Sequence, residues 1–341
     1  MKPLYVLTAA VLLAIAAGVW FIQQSGPNEF QAQALFDDLE EAANDLDSVK
    51  IENAQGVVFA AENLNDSWQA TITKKLPTYP ISQDKLAQLV TTLLQLKLIE
   101  PKTSKAENYS RLGLQDIDNT DSLASLVTLR ANGRSWSVLV GNQVSFAEGS
   151  YVRLPKNKQS WRTNKNIHLP LDKYSWLKQP ILPFRSGDIV AITRVDNSNW
   201  QMAKQDDGSF QLSPMLEGRK LEYQGVLEAM ASSIVELDFE QLYVSEEIFN
   251  SSLTVVTELE ISMSQGDLIR LVVSEMDGKY LVSFPTEFPA EYWHSWHYQI
   301  SNFSAQQLIK TADDFLADKS KALINETTSD AKTLEEGESP F

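Results

Sequence analysis

The hydrophobic and polar positions change rhythm several times along the chain. Leu4 to Ile22 is an uncharged apolar run of nineteen residues, introduced by Pro3. At a helical rise of about 1.5 Å per residue it spans about 28 Å, close to the hydrocarbon thickness of a bilayer. Pro3 suits the first turn of a helix, where its missing N–H costs nothing. Trp20 and Phe21 fall at the far end, where aromatic side chains favour the membrane interface. A cleaved signal peptide is the competing reading, with Ala14, Ala16 and Ala17 supplying small residues ahead of a cut near residue 18. Its apolar region is normally about 7–15 residues. Here Val19-Trp20-Phe21-Ile22 carries the run past the small residues, so a retained transmembrane anchor over 1–22 is the expectation.

Residues 23–46 read as a linker and stalk. Gly26-Pro27 breaks the chain, and Phe30, Ala34, Leu35, Leu39, Ala42, Ala43 and Leu46 then follow helical spacing. From Asp47 the rhythm shortens. Val49, Ile51, Val57, Phe59, Trp68 and Ile72 sit in short alternating runs broken by Asn, Gly and Asp, a pattern of strands and hairpins. Ile81 to Leu98 predicts a helix, with Ser82 as its N-cap and Leu86, Leu89, Val90, Leu93, Leu94 and Leu96 as its apolar side. Strands are expected at Leu126–Arg130, Ser135–Val140 and Ser150–Leu154, with Asn132-Gly133 a strong hairpin turn.

The second half repeats this order. Ile189–Val195 opens as a strand, and Trp200 and Phe210 flank a turn at Asp207-Gly208. Tyr223–Leu237 predicts a helix, and Leu253–Met263, Leu268–Ser274 and Lys279–Phe284 predict strands. Three local matches accompany the order. Thr92–Lys97 resembles Ser232–Leu237, Gly149–Val152 resembles Gly278–Leu281, and Ser175–Gln179 resembles Ser295–Gln299. The expected architecture is therefore α+β: an N-terminal transmembrane helix, then two tandem repeated α+β units with antiparallel sheets over residues 47–186 and 187–317. Residues 318–341 are rich in Glu, Thr, Ser, Asp and Lys and read as a disordered acidic tail.

Charge gives the orientation. The formal net charge is -16. Lys2 precedes the apolar run, and the next basic residue is Lys50, after seven acidic residues from Glu29 to Asp47. Basic flanks stay cytoplasmic, which places the bulk of the chain outside the cytoplasm. An acidic surface repels phosphate backbones, so nucleic acid is not an expected partner. Cysteine is absent, which excludes disulfides, thiolate metal sites and thiol nucleophiles.

Candidate chemistry is sparse. His294 and His297 sit three apart, with Glu287 and Glu291 nearby, and His168 stands alone. Zinc needs three or four ligands, and aromatic packing with Trp293 and Trp296 is the simpler reading. The acid pairs Asp37-Asp38, Glu40-Glu41, Asp206-Asp207 and Glu246-Glu247 are sequence neighbours whose side chains diverge, as on a solvated surface. Trp68, Trp136, Trp161, Trp176, Trp200, Trp293 and Trp296 could stack on a glycan, or could fill a core. No phosphate loop, nucleophile elbow or HExxH helix is present. No catalytic, cofactor-binding or metal residue is assigned, and no cofactor is expected.

Several stretches resemble the bacterial domain of unknown function 4340. They are the strand pair ending at Trp68, the helix Ser82–Leu98, Tyr109-Ser110-Arg111-Leu112-Gly113-Leu114, Val138–Gly141, Gly149–Arg153 and Trp176–Arg194. The resemblance implies a membrane helix, an extracytoplasmic domain and a partner in a gliding-motility-type ABC transport system, either its permease or an auxiliary protein. It implies no catalytic residues. The expected function is a non-catalytic, membrane-anchored accessory or scaffold protein. A module binding peptidoglycan or glycan is the alternative, and a hydrolase with distant convergent acids the third reading.

Overall fold

The computed structural model describes residues 30–71, 78–196, 199–215, 217–248, 253–285 and 293–317. The expected anchor, the linker over 23–29 and the acidic tail lie outside the described residues. Among the described residues no helix is long and apolar enough to cross a membrane.

The fold is dominated by antiparallel sheet, with few and mostly short helices. In chain order the first elements are β1 (Gln33–Ala34), α1 (Leu39–Ala42), β2 (Leu46–Asn53), β3 (Gly56–Leu64), β4 (Ser67–Ala70), β5 (Tyr79–Pro80), α2 (Gln83–Gln95), β6 (Lys97–Pro101), α3 (Tyr109–Leu112), β7 (Ser125–Ala131), β8 (Arg134–Gln143), β9 (Ser150–Arg153) and β10 (Ser160–Thr163). Ten strands form a sheet in the order β1-β6-β10-β9-β8-β7-β2-β3-β4-β5. Then come β11 (Ile189–Arg194), β12 (Trp200–Lys204), β13 (Phe210–Ser213), α4 (Val226–Val235), β14 (Gln241–Val244), α5 (Ser245–Ile248), β15 (Thr254–Met263), β16 (Leu268–Met276), β17 (Lys279–Ser283), β18 (Trp296–Ile300) and α6 (Asn302–Leu308). Eight strands form the second sheet, β13-β12-β11-β15-β16-β17-β18-β14.

By compactness the chain divides into two units. One holds residues up to Val58 together with Ala87–Leu169, and the other holds Phe59–Leu86 together with Pro170 onward. The contiguous division between 186 and 187 read from the sequence is a different cut through the chain.

Within the first unit, β7 and β8 join at Asn132-Gly133, both with positive φ (50° and 75°). Such a turn matches the right-handed twist of the strands it connects. Val127, Leu129, Val138, Val140 and Val152 alternate onto one buried face. The expected stalk helix over Phe30–Leu46 is not one helix. The segment is a two-residue strand, the four-residue α1, a 3₁₀ turn at Ala43–Asp45 and the start of β2. Its apolar spacing reflects burial rather than helix: Leu35, Leu39, Ala42 and Leu46 are all core residues. Leu35 N–H donates to Leu96 O (3.0 Å), and Trp136 Nε1–H donates to Asp38 (2.7 Å). The helix expected to reach Leu98 stops at Gln95, because Leu96 is spent on the turn into β6 and Leu98 pairs with Thr163 and Gln33 in the sheet.

Within the second unit, Ile192, Met202, Leu212, Leu259, Ile261, Leu271 and Val273 form the inner face of the sheet. Helix α4 packs against β13 and adds Val226, Leu227, Met230, Ala231, Ile234 and Val235 to the core. Aromatic rings fill the rest of this interior. Tyr79 meets Phe239, Trp296 and Tyr298 edge-on at 5.6, 6.1 and 6.3 Å, and Phe284 packs on Trp293 at 4.8 Å.

Candidate functional site

The residues that chemistry singles out in the sequence do not converge on one cleft. Trp136, Trp176, Trp200, Trp293 and Trp296 are buried, so five of the seven rings of the supposed stacking platform are core. Trp68 and Trp161 are half-buried, and Trp161 lies 4.7 Å from Phe30. Trp176 and Trp296, matched by sequence, hold different local places. Trp176 ends a 3₁₀ turn before the bridge Ile81↔Leu177, whereas Trp296 opens β18. Phe315 likewise ends a 3₁₀ turn before a bridge, Leu221↔Leu316.

His294 lies in a 3₁₀ turn and His297 in β18, so the helical spacing that would align their rings is not formed. His297 Nδ1 is 3.1 Å from Ser245 Oγ, which itself donates to His294 O (2.9 Å). Burial holds the His297 imidazole below its usual range. Glu287 and Glu291 lie outside the described residues. Asp207 is held below the usual carboxylate range by the hydroxyl and N–H of Ser209, in the turn between β12 and β13.

In the first unit three separated motifs meet. Tyr109–Leu112 is α3, ended by Gly113 in the left-handed region (φ 66°). Gly141 of β8 lets that turn approach: a Cβ there would lie 2.3 Å from Leu112 O. Arg153 of β9 sets its guanidinium 4.5 Å from the Tyr109 ring centroid. Its Nη2 donates to Leu114 O (3.1 Å) and Asp116 Oδ1 (2.6 Å). Tyr109 O–H donates to Lys158 O (2.5 Å). Around them Leu114, Ala124 and Leu139 close a small apolar cluster.

In the second unit a comparable node forms on Arg194, the last residue of β11. Its Nε–H donates to both oxygens of Asp196 (2.8 and 2.7 Å). Its Nη1 donates to Ile309 O and Lys310 O (2.6 and 2.9 Å), the carbonyls that follow α6. Trp200 Nε1–H adds a bond to Lys310 O (2.9 Å), and Thr257 Oγ–H donates to Asp196 Oδ2 (2.8 Å). A cation at carbonyls left over by a helix end satisfies acceptors that the helix cannot. Beside this node opens a pocket of about 370 Å³ lined by Thr193, Arg194, Val195, Asn199, Trp200, Gln201, Ser213 and Pro214.

A family model described as Domain of unknown function (DUF4340) matches residues 68–253, more than half of the chain. The chain belongs to this family. The DUF4340 match contains α3, Gly141, Arg153, Arg194, Asp196 and the whole pocket lining. Thr257, Ile309 and Lys310, which complete the Arg194 node, lie beyond its end. No curated protein matches the chain, and no solved structure matches it.

Both arginine nodes escaped sequence reasoning. An arginine at the end of a strand looks like any solvated charge. Only tertiary structure brings Leu114 to Arg153 across 39 positions, or Ile309 to Arg194 across 115. A signal existed in Arg194-Val195-Asp196, where two residues of opposite charge sit i, i+2 on one side of an extended chain.

Proposed function

We propose that this DUF4340 chain is a non-catalytic binding module, held in the bacterial cytoplasmic membrane by residues 4–22. Its body lies outside the cytoplasm, as an accessory of an ABC-type transport complex. The observation that carries the reading is how the strongest charges are used. Arg153 through Nη2, and Arg194 through Nε and Nη1, donate to carboxylates and main-chain carbonyls of their own fold. Groups tied down in this way hold loops and helix ends in place, and a surface that must present a fixed shape to a partner needs that. The transporter link itself rests on the family resemblance.

The body of the module is, in the same reading, two tandem copies of one unit. Setting aside β1 and β5, the first sheet reads β4-β3-β2-β7-β8-β9-β10-β6, and the second reads β13-β12-β11-β15-β16-β17-β18-β14. Taken in chain order these are the same arrangement. Register agrees in detail. Leu46, Ser48 and Val49 face Ala131, Arg130 and Leu129 with one irregularity after Leu46. Ile189, Ala191 and Ile192 face Met263, Ser262 and Ile261 with one irregularity after Ile189. The closing bonds Ser82 N–H to Trp176 O and Lys178 N–H to Pro80 O have counterparts in Glu222 N–H to Phe315 O and Ala317 N–H to Lys220 O, all 2.9 Å.

Affinity purification of the full chain from detergent-solubilised membranes, with mass spectrometry, tests the function. Enrichment of a permease or its auxiliary protein supports it. Enrichment of neither, with retention of the chain on purified peptidoglycan, replaces it with the polymer-binding reading, which the half-buried Trp68 and Trp161 favour. The topology has its own test: a C-terminal alkaline phosphatase fusion should be active, and N-terminal sequencing should not find a mature chain starting near Val19.

A further inference from the structure

Charge is unevenly spread along the chain. Residues 87–169, all in the first unit, hold more Lys and Arg than Asp and Glu, in a chain whose net charge is -16. Part of this surplus gathers at one end of the first sheet. β9 sets Val152 opposite Val140 and then Arg153 opposite Leu139, so the hairpin 154–159 that follows lies toward the Asn132-Gly133 end of β8. β6 reaches the same level, with Pro101 opposite Trp161 and Lys102 N–H donating to Ser160 O (2.8 Å). Residues 102–105 and 154–159 therefore lie together. Lys105, Lys156 and Lys158 are exposed, and among the described residues none of the three holds an ion pair.

The carboxylates of this region are engaged or placed elsewhere. Glu100 holds Lys102 (2.6 Å), and Asp116 holds Arg153 (2.6 Å). Asp118 and Asp121 follow in the chain that enters β7 at Ser125, the far end of that strand from Asn132-Gly133. Glu107, in the turn after Lys105, is the opposing charge. The acidic α1 approaches on the other face: Asp38 accepts from Trp136 Nε1–H, and Trp136 alternates with Val138 and Val140. The hairpin is drawn to the opposite face, where Arg153 Nη1 donates to Pro155 O and Asn157 O (3.5 and 3.4 Å) and Tyr109 O–H to Lys158 O (2.5 Å).

The chain enters the fold beside these lysines. Phe30 packs on Trp161 at 4.7 Å, and both rings are half-buried. Phe30 is eight residues past Ile22, and eight residues span at most about 29 Å. In the proposed duplication the second copy, farther along the chain from the apolar run, reverses the charge of the matching connections. Residues 245–253, after β14, contain Glu246 and Glu247, and residues 284–295, after β17, contain Glu287 and Glu291; neither stretch contains Lys or Arg.

We propose that this end of the first sheet docks on the bilayer that anchors the chain, with Lys105, Lys156 and Lys158 against the phosphates of anionic phospholipid headgroups and Phe30 and Trp161 at the interface. A lysine close to an anionic membrane surface shifts such an equilibrium about fivefold, and aromatic rings favour the headgroup level. The short tether makes the contact intramolecular, so that individually weak attractions suffice. A lipid surface is the occupant because the lysines stand where the chain arrives from the membrane, and only in the copy next to it. The inference rests on the reading of residues 4–22 as a retained anchor.

The test places the purified full chain in lipid nanodiscs of phosphatidylcholine alone, or of phosphatidylcholine and phosphatidylglycerol in equal parts. Hydrogen exchange is followed by mass spectrometry of peptides covering residues 102–105 and 154–159. Exchange there should be at least about fivefold slower in the anionic discs, with the turn at Asp207-Gly208 unchanged. The protection should disappear in molar salt and in the variant Lys105→Glu, Lys156→Glu, Lys158→Glu, whose exposed positions leave the melting temperature unchanged. Equal exchange in both discs, or protection that survives the three substitutions, overturns the proposal. Protection found only in discs that hold two chains would make the occupant a second copy and overturn it too. A chain that enters neither disc removes the anchor reading and this inference together, whereas one that enters both without lipid-dependent protection removes this inference alone.

Discussion

Phe59 stacks on Trp176 with ring centroids 4.9 Å apart and planes 16° from parallel, whereas Trp200 meets Phe315 at 5.0 Å with planes at 82°. In the proposed duplication these pairs are counterparts, with the large and small ring exchanged and the ring geometry changed. The shared requirement is an aromatic pair joining a strand of the hairpin to the closing 3₁₀ turn. Polar content differs more. Ile51 faces Val127 on the first sheet, and Arg194 faces Leu259 at the matching place on the second, with Asn53 and Asp196 two residues on. One copy keeps an apolar contact where the other holds an ion pair and reaches toward a helix end. In the proposed duplication the two copies keep their ladders and diverge in what each interior position binds.

The aromatic comparison breaks with the largest effect. Trp176→Ala and Trp200→Ala should each cost about 3–5 kcal/mol, the range for emptying a buried aromatic site. The exchange Phe59→Trp with Trp176→Phe should cost less than about 2 kcal/mol, since volume is conserved. Urea unfolding followed by tryptophan fluorescence measures both. A double exchange as damaging as Trp176→Ala would show that the pairs are not interchangeable.

The ion pair comes next. Asp196→Ala leaves a guanidinium with 8% side-chain exposure held only by two carbonyls, and takes the acceptor from the Thr257 hydroxyl, and should cost about 2–3 kcal/mol, below the fully buried figure because Asp196 itself is partly solvated. Arg194→Ile with Asp196→Asn, which writes the first copy's residues into the second, should recover at least half of that loss. Failure to recover would mean that the carbonyls of Ile309 and Lys310 depend on the charge. Gly141→Ala should cost about 1–3 kcal/mol, because the new methyl meets the backbone oxygen of Leu112 and that turn must shift. Gly187→Ala, with open space around it, should change stability by less than about 0.5 kcal/mol or raise it slightly.

The smallest effect is on pH. Burial depresses the His297 pKa, so the folded chain holds this imidazole neutral while the unfolded chain protonates it below about pH 6.5. The corresponding stability is present above that pH and is lost as pH falls. His297→Gln should flatten the stability profile between about pH 5 and 7. Asp238 works in the opposite sense. Burial raises its carboxyl pKa against the opposing charge of Lys85, so its contribution is present at low pH and lost as pH rises through the raised value. Asp238→Asn should remove that decline, measured by thermal unfolding in buffers that start below the unfolded Asp value of about pH 4 and rise from there.

Short-range features of this protein were legible from sequence. The turns at Asn132-Gly133 and Asp207-Gly208, the alternation in β7, β8, β15 and β16, and helices near Gln83–Gln95 and Val226–Val235 are set by φ preference and by periodicity over a few residues. Those properties act locally, so the chain states them locally. Tertiary structure decided the rest. Leu35, Leu39, Ala42 and Leu46 carry helical spacing, yet only Leu39 and Ala42 share a helix, one turn long, because burial selects which residues are apolar without selecting the backbone that brings them inside. Leu96 and Leu98 continue a helical stripe but belong to the turn and strand beyond it, since a hydrogen-bonding partner on Thr163 outweighs another helical turn. Trp176 and Trp296 look alike in sequence, yet it is Phe315 that shares with Trp176 the place at the end of a 3₁₀ turn before a bridge. The arginine nodes depend on carbonyls 39 and 115 positions away, and no local rule connects a side chain to an acceptor whose distance is set by the closing of a whole sheet.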